Sequence, residues 1–346
     1  MISLPNPFEK ANVPLSVDEL LDIAFRRAFG KIKSVKLYRD PLLLYRSREI
    51  ARMQTIADNI TSRLEKAVKS FPNIDRLDPF YRELLDVVVG IDDIRHALGA
   101  LQWASKICKR IARYYIAKIR RTEDPDKMAQ LRKEASGRIS SVLKRISKEI
   151  DFLRINIPKL RKLPDIDLTV PVVIIAGMPN TGKSTLLSRL STKTPEIAPY
   201  PFTTRGLIIG HSELESVGKT QFIDTPGLLD RPLSKRNRIE LQAIVALRHL
   251  GGIVVYLFDP SETCGYPLSD QISLYEDLIE QFSPDIIAVV NKLDLEREFP
   301  RGFLRIREYA RLKNIRLIEI SADKGLGIAQ LKKKIISVLT EGGDEG

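Results

Sequence analysis

An unbroken apolar run, Val172-Val173-Ile174-Ile175-Ala176, leads directly into Gly177-Met178-Pro179-Asn180-Thr181-Gly182-Lys183-Ser184, and Leu186, Leu187 and Leu190 follow at helical spacing. A strand, a glycine loop and a helix in that order make a phosphate-binding loop. Glycines let backbone N–H groups close around a phosphate, the lysine reaches its outer oxygens, and the serine hydroxyl takes Mg²⁺. Asn180, Thr181, Gly182, Lys183, Ser184 and Thr185 are therefore the expected phosphate ligands, with Lys183 also stabilising charge during transfer. A chain with such a loop is expected to build an α/β sheet with the site at the carboxyl ends of its strands.

Three later segments turn a nucleotide site into a guanine-nucleotide switch. Asp224-Thr225-Pro226-Gly227 closes the apolar strand Gln221-Phe222-Ile223. Its carboxylate can hold the water shell of Mg²⁺, and the Gly227 N–H can meet a γ-phosphate. Asn291-Lys292-Leu293-Asp294 ends the run from Ile286 to Val290. Asp294 can accept from the N1–H and exocyclic amine of guanine, a donor pattern that adenine lacks. Ser321-Ala322-Asp323, after Arg316 to Ile320, is either the loop that covers the base or a helix cap. Between loop and aspartate lies Tyr200-Pro201-Phe202-Thr203-Thr204-Arg205-Gly206. A switch threonine whose hydroxyl binds Mg²⁺ is needed there, and Thr204 is the expected one. The metal set is thus Ser184, Thr204 and, through water, Asp224.

Strands near Val172, Leu207, Gln221, Val254, Ile286 and Arg316 alternate with helices beginning near Lys183, Asn237, Leu268, Gly302 and Ile328. That alternation predicts a mostly parallel sheet covered on both faces.

These residues carry a resemblance. The phosphate loop, the Tyr-Pro-Phe-Thr-Thr segment and the run Asp224-Thr225-Pro226-Gly227-Leu228-Leu229-Asp230-Arg231-Pro232 resemble the Obg-related translational GTPases. Within these the chain is most similar to the nucleolar GTP-binding protein family of large-subunit assembly factors. The segment Asp259-Pro260-Ser261-Glu262-Thr263-Cys264-Gly265-Tyr266 resembles that family's own signature. The resemblance implies a helical domain ahead of the GTPase domain, and large-subunit rRNA, the pre-ribosomal particle and ribosomal proteins as partners. Eukaryotic members continue well past their GTPase domain, so this chain resembles the shorter archaeal form.

Charge is divided unevenly along the chain. Residues 1–166 hold 34 Lys and Arg against 21 Asp and Glu, while residues 167–346 hold 22 against 23, within an overall net charge of +12. The first half reads as a basic helical bundle and the second as a neutral GTPase domain. A surplus confined to one half points to a polyanion partner for it. Ser16-Val17-Asp18-Glu19 is a capping box that opens the first helix. Further helices are expected over about 41–70, 79–89, 92–121 and 125–155, the last two antiparallel about Asp124-Pro125. The 105–121 helix is two-sided: Ile107, Cys108, Ile111, Ala112, Tyr115 and Ile119 oppose Lys106, Lys109, Arg110, Arg113, Arg120 and Arg121. Such a run is either a solvated face or a phosphate-binding one, and the lack of any acidic residue from Leu101 to Arg121 favours phosphate. Arg132, Lys133, Arg138, Lys144, Arg145 and Lys148 add to it, and Arg26, Arg27, Lys31, Lys33 and Lys36 make a second patch. With aromatics at 7%, recognition by shape and charge is expected, and Trp103 is assigned to the core.

The position after Gly227 is Leu228, where efficient small GTPases carry a water-orienting glutamine. Slow intrinsic hydrolysis follows, completed by a partner or by an ion. Asn180 either helps hold a K⁺ beside the phosphates, as in related GTPases with an apolar residue at that position, or only stabilises its loop. The two cysteines, Cys108 and Cys264, show no metal or redox spacing. No apolar run nears the ~20 residues that span a bilayer, and the N-terminus has no leader pattern, so a cytoplasmic protein, monomeric off the ribosome, is expected. The sequence thus describes a GTP-hydrolysing large-subunit assembly factor. The alternatives are an Obg-like or developmentally regulated GTPase acting on mature ribosomes or in stress signalling, a tRNA-modifying GTPase, for which no second cofactor site is visible, and a binding module with a vestigial site.

Overall fold

The structure is a computed structural model, and it describes residues 6–30, 40–201, 203, 206–230, 238–250, 252–282 and 286–341. By its contacts the chain divides into two compact units. The first comprises Pro7–Leu77 and Val89–Arg161; the second runs from Lys162 onward and takes in Asn6 and Asp78–Val88.

The first unit is all helix: α1 (Val17–Phe29), α2 (Pro41–Ser70), α4 (Ile91–Arg121), α5 (Pro125–Arg145) and α6 (Ser147–Leu160). Local chemistry sets the helix starts. Ser16 and Glu19 form the reciprocal capping box, and the Asp40 and Asp124 carboxylates each cap a helix that begins with proline. The core is built from Ile56, Ile60 and Leu64 of α2, Leu101, Cys108 and Ile119 of α4, and Met128, Ile139 and Leu143 of α5, all fully or almost fully buried. Beneath it lies a charged knot: Glu49, 1% exposed, accepts from the guanidinium groups of Arg52 and Arg132 at 2.5 Å each. Both guanidiniums stack on the Phe29 ring.

Two expectations about this half change. The single helix expected over 125–155 is two, because Ile146 leaves the helical region at ψ 16°. The Ile150 N–H still bonds the Ile146 carbonyl, so the apolar periodicity runs on across the break, and periodicity alone does not reveal it. The boundary expected at 166/167 also differs from the compact units. α3 (Pro79–Val88) belongs to the second unit, where it packs against α8 (Arg238–Arg248). Phe80, Tyr81, Leu84 and Leu85 of α3 are buried. The Tyr81 hydroxyl donates to Pro164 O at 2.9 Å and accepts from Ile166 N at 3.3 Å. Burial pushes this phenol up to about 12, so it stays neutral.

The second unit holds a seven-stranded sheet in the order β2-β3-β4-β1-β5-β6-β7, with β1 (Val172–Ala176), β2 (Glu196–Ala198), β3 (Leu207–Leu214), β4 (Gly218–Asp224), β5 (Ile253–Phe258), β6 (Ile286–Val290) and β7 (Leu317–Glu319). Pairs β4/β1, β1/β5, β5/β6 and β6/β7 are parallel; β2/β3 and β3/β4 are antiparallel. The mostly parallel sheet is as expected, with the short edge strand β2 as an addition. Five consecutive buried residues make β1 the centre, as a strand covered on both faces requires. Helices α7 (Lys183–Leu190), α9 (Leu268–Phe282), α10 (Pro300–Leu312) and α11 (Ile328–Glu341) complete the unit. Register Ile175↔Asp224 and Ala176↔Tyr256 puts the carboxyl ends of β1, β4 and β5 level, and every functional loop of the second unit leaves from that edge. Among the described residues no helix is long and apolar enough to cross a membrane.

Replacing Tyr81 with Phe removes one hydroxyl from two buried backbone partners and should lower stability by about 1–2 kcal/mol. The fall in thermal midpoint of the full chain checks this.

Candidate functional site

The phosphate loop is shaped by glycines that admit no side chain. Gly177 has φ 141°, and a Cβ there would lie 2.7 Å from Leu257 O. Gly182 has φ 98°, and its Cβ would fall 2.3 Å from Asn291 Nδ2. Asn180, at φ 61°, takes the left-handed turn that asparagine tolerates. Thr181 Oγ1 donates to Met178 O at 2.9 Å, while Lys183 Nζ donates to Gly177 O and Met178 O at 2.8 Å each. The ammonium thus lies folded into the loop mouth. No side chain caps α7, whose first turn carries the N–H groups of Lys183, Ser184 and Thr185. Those N–H groups and the helix dipole favour an anion. A cleft of about 710 Å³ opens here, lined by Asn180, Lys183, Ser184, Asp224, Gly227 and Asp230 among others.

Ser184 Oγ donates to Asp224 Oδ2 at 2.7 Å, and Asp224 Oδ1 is buried with no hydrogen-bond partner among the described residues. A hydroxyl beside an orphaned carboxylate oxygen is an oxygen donor set that suits a hard cation, so these residues fit Mg²⁺. Burial raises the Asp224 carboxyl above the usual carboxylate range and lowers Lys183 below the usual lysine range. Each is held toward its neutral form by desolvation, a cost that a polyphosphate with its cation would offset.

The switch residues are only partly described. Thr204 lies outside the described residues, as do Phe202 and Arg205. Its neighbour Thr203 has its hydroxyl engaged locally, donating to Tyr200 O at 2.9 Å and accepting from Gly206 N at 3.0 Å. Gly227, at φ 79°, donates its N–H to Asp230 Oδ2 at 2.8 Å. Asp230 was not among the expected site residues, although an aspartate three residues past a glycine turn is a signal for such a bond. Leu228 is fully buried.

A second cleft of about 300 Å³, lined by Gly182, Thr185, Lys292, Asp294, Ser321 and Ala322 among others, adjoins the first. Asn291 is buried between two loops: Nδ2 donates to Thr181 O at 2.8 Å, and Oδ1 accepts from Ala322 N at 2.9 Å. Its amide therefore joins the phosphate loop to the 321–323 loop. Asp294 accepts a short hydrogen bond from Ser321 Oγ, which also takes the Lys324 N–H at 3.2 Å. Lys292, at φ 61°, reaches Asp259 Oδ2 at 2.6 Å and Thr263 Oγ1 at 2.8 Å.

The 259–266 segment explains that reach. Asp259 is fully buried and also accepts from Ser261 N at 3.1 Å and Cys264 N at 2.8 Å. Gln271 holds its backbone on both sides, accepting from Asp259 N at 2.7 Å and donating to Asp259 O at 3.0 Å. Burial pushes the Cys264 thiol up to about 11 and Cys108 up to about 12, so neither is a nucleophile near neutrality.

Comparison with known proteins finds the N-terminal helical domain of nucleolar GTP-binding protein 1 over residues 8–167 and the nucleolar GTP-binding protein 1 domain itself over 238–294. The chain belongs to the nucleolar GTP-binding protein family. It is 40% identical over 294 residues to an uncharacterized protein of Methanocaldococcus jannaschii, covering 85% of this chain and 82% of that one. Nucleolar GTP-binding protein 1 of Drosophila melanogaster is 33% identical over 83% of this chain and 44% of its own length, and that of Saccharomyces cerevisiae is 29% identical over 93% and 49%. The chain thus spans about half the length of these named relatives. A putative nucleolar GTP-binding protein 1 from Plasmodium falciparum superposes with a TM-score of 0.46 at 31% identity, over 53% of this chain and 93% of that one. The G domain of the T. maritima FeoB iron transporter gives 0.40 at 22% identity, over 49% and 98%. The family match and the sheet with its glycine loop together make the fold a helical N-terminal domain followed by a P-loop GTPase domain.

In this family member the basic residues of the helical unit sort into two groups. Lys106, Arg110, Arg113, Arg120 and Arg121 of α4 are exposed. Lys109 instead forms an ion pair with Glu65 and holds that carboxyl below its ordinary range. Arg132 is buried against Glu49 and leaves the expected patch, while Arg138 pairs with Glu134. Of the second patch, Arg26 pairs with Asp22, Arg27 donates to Asn59, and Lys31, Lys33 and Lys36 lie outside the described residues. Trp103 is not in the core: it is 42% exposed, because its neighbours Leu101, Ala104 and Ser105 already fill the inward face.

Because burial already holds Asp224 toward protonation, acidification should weaken Mg²⁺-dependent nucleotide binding at a pH above that at which exposed aspartates titrate. Affinity with Mg²⁺ measured from pH 7.5 down to 5 should fall, and Asp224→Asn should be weak and flat across that range. Asp259→Ala should leave Lys292 without its carboxylate, weakening guanine-nucleotide binding by about 2 kcal/mol, read by calorimetry.

Proposed function

We propose that this protein is a GTP-binding, slowly GTP-hydrolysing assembly factor for the large ribosomal subunit, docking on rRNA through its basic helical domain. The observation that carries the nucleotide half is the buried Asp224 carboxylate, bonded to the exposed Ser184 hydroxyl through one oxygen and without a partner among the described residues on the other, set beside the Lys183 ammonium at the mouth of a glycine loop. The family, together with a charge surplus confined to residues 1–166, supports the ribosomal half.

In this reading the amides of Asn180 to Thr185 cradle the α- and β-phosphates and Lys183 leaves its two carbonyls for the β/γ oxygens. Mg²⁺ would be held by Ser184, Thr204 and, through water, Asp224, and it supplies charge neutralisation across the phosphates. Gly227 N–H meets the γ-phosphate once Asp230 gives it up. Asp294 reads the guanine edge, Ser321 and Lys292 hold it in place, and Asn291 keeps the base and phosphate loops in register. Leu228 is buried and cannot hydrogen-bond a water, so no side chain at that position orients the nucleophile. A missing finger or its equivalent is worth roughly 10³–10⁵ in rate. The pre-ribosomal particle, its ribosomal proteins, or a K⁺ held near Asn180 supplies that charge. The protein works in the cytoplasm and is a monomer off the ribosome.

GTP and GDP should displace labelled GDP far better than ATP does, and Asp294→Asn should shift preference to xanthine nucleotides; equal displacement by ATP and GTP refutes the base assignment. Hydrolysis by the free protein should rise when K⁺ replaces Na⁺ at constant ionic strength, and Asn180→Ala should remove that rise. Identical rates in the two salts assign the missing group to the particle.

A further inference from the structure

The outer face of α4 carries more than charge. Trp103 is 42% exposed and Tyr114 is 54% exposed, and both stand on the same helix. Eleven residues of α-helix turn through about three full circles, so the two rings fall within about 20° of one line and about 16 Å apart along the axis. Arg110 and Arg121 lie on that line as well, seven and eighteen residues after Trp103. Lys106 and Arg113 flank it on one side and Lys118 on the other. Buried positions Cys108, Ala112, Tyr115 and Ile119 occupy the opposite side, where the bundle packs.

Among the described residues none of Lys106, Arg110, Arg113, Lys118, Arg120 and Arg121 takes part in an ion pair, unlike Lys109, Arg132 and Arg138 close by. Two carboxylates that approach the helix from α2 and α5 are already engaged, Glu65 by Lys109 and Ser105, and Glu134 by Tyr115 and Arg138. Tyr114 is held in place, with the Lys118 ammonium 4.7 Å from its ring centre and Tyr115 edge-on at 5.2 Å. Trp103 makes no ring or cation contact among the described residues.

We propose that Trp103 and Tyr114 form a stacking platform for unpaired RNA bases, with Arg110, Lys106 and Arg113 holding the backbone between them. A phosphate-only surface needs no indole, and an exposed apolar patch meant for a protein partner is not ringed by basic residues that form no ion pair among the described residues. Aromatic rings separated by basic residues match a single strand, whose bases offer flat faces while its phosphates follow alongside. Duplex RNA keeps its bases stacked inside and can meet only the cations. The proposal rests on the RNA-docking reading above and sharpens it from folded RNA in general to its unpaired segments.

Trp103 is the only tryptophan of the chain, so its fluorescence reports the site directly. The full-length protein is titrated at low salt with a single-stranded dodecamer of A and U and with a perfectly paired RNA duplex of equal phosphate content. The single strand should quench Trp103 and the duplex should bind with little quenching. Trp103→Ala should weaken single-strand binding about 10-fold or more while leaving duplex binding and the thermal midpoint unchanged, and Trp103→Phe should restore most of the loss. Tyr114→Ala should act in the same direction. Equal binding of both RNAs with no effect of either aromatic substitution overturns the platform and leaves charge-driven RNA docking intact. No binding of either RNA overturns the docking reading itself, and with it the platform. Quenching by RNA-free ribosomal protein, with none by RNA, assigns the face to a protein and also overturns the proposal.

Discussion

The Asn291 side chain is the joint on which the nucleotide site depends. It is 2% exposed, and its amide spans from the Thr181 carbonyl to the Ala322 N–H. One side chain therefore sets the spacing between the glycine loop at 177–184 and the 321–323 loop. The joint needs Gly182 to be bare, because any Cβ there would collide with the amide nitrogen. Leaving a buried amide or its two backbone partners unpaired costs about 1–3 kcal/mol for each group, so the two clefts are held together by the same bonds that satisfy Asn291. Behind the joint, Asp259 fixes Lys292, and the 259–266 turn is the frame around that carboxylate.

Around this frame the site is electrostatically unfinished. Desolvation holds Asp224 and Lys183 toward their neutral forms, one Asp224 oxygen has no partner among the described residues, and the Lys183 ammonium rests on two carbonyls. Each of these features is relieved by the same event, the arrival of phosphate oxygens and a divalent cation. The Asp230 carboxylate on Gly227 N–H is a bond of the same kind, since one anion must leave for another to take that donor. A site built this way favours charged ligands that bring their own counter-charge.

The helical unit shows the opposite arrangement on its two sides. Inside, Glu49 gathers Arg52 and Arg132 under Phe29, so cations that look like surface charge in the sequence serve the core. Outside, among the described residues, six cations of α4 form no ion pair and stand beside two exposed aromatic rings. What a basic residue does here depends on whether a carboxylate from another helix lies within reach, and net charge does not contain that information.

The sequence by itself determined the phosphate loop, the order of strands and helices in the second half, the helical character of the first half, and its capping residues. These are local properties, since hydrophobic period, glycine spacing and cap chemistry act within a few residues. The tertiary structure alone decided that Asn291 is a bridge, that Asp230 meets Gly227, that α3 belongs with the sheet, that Ile146 interrupts a helix, and that Trp103 faces outward while Arg132 faces inward. Each of those depends on groups that lie far apart in the chain or on which side of a helix the neighbouring residues have already filled, and pairing at a distance of 31 or 83 residues leaves no trace in local pattern.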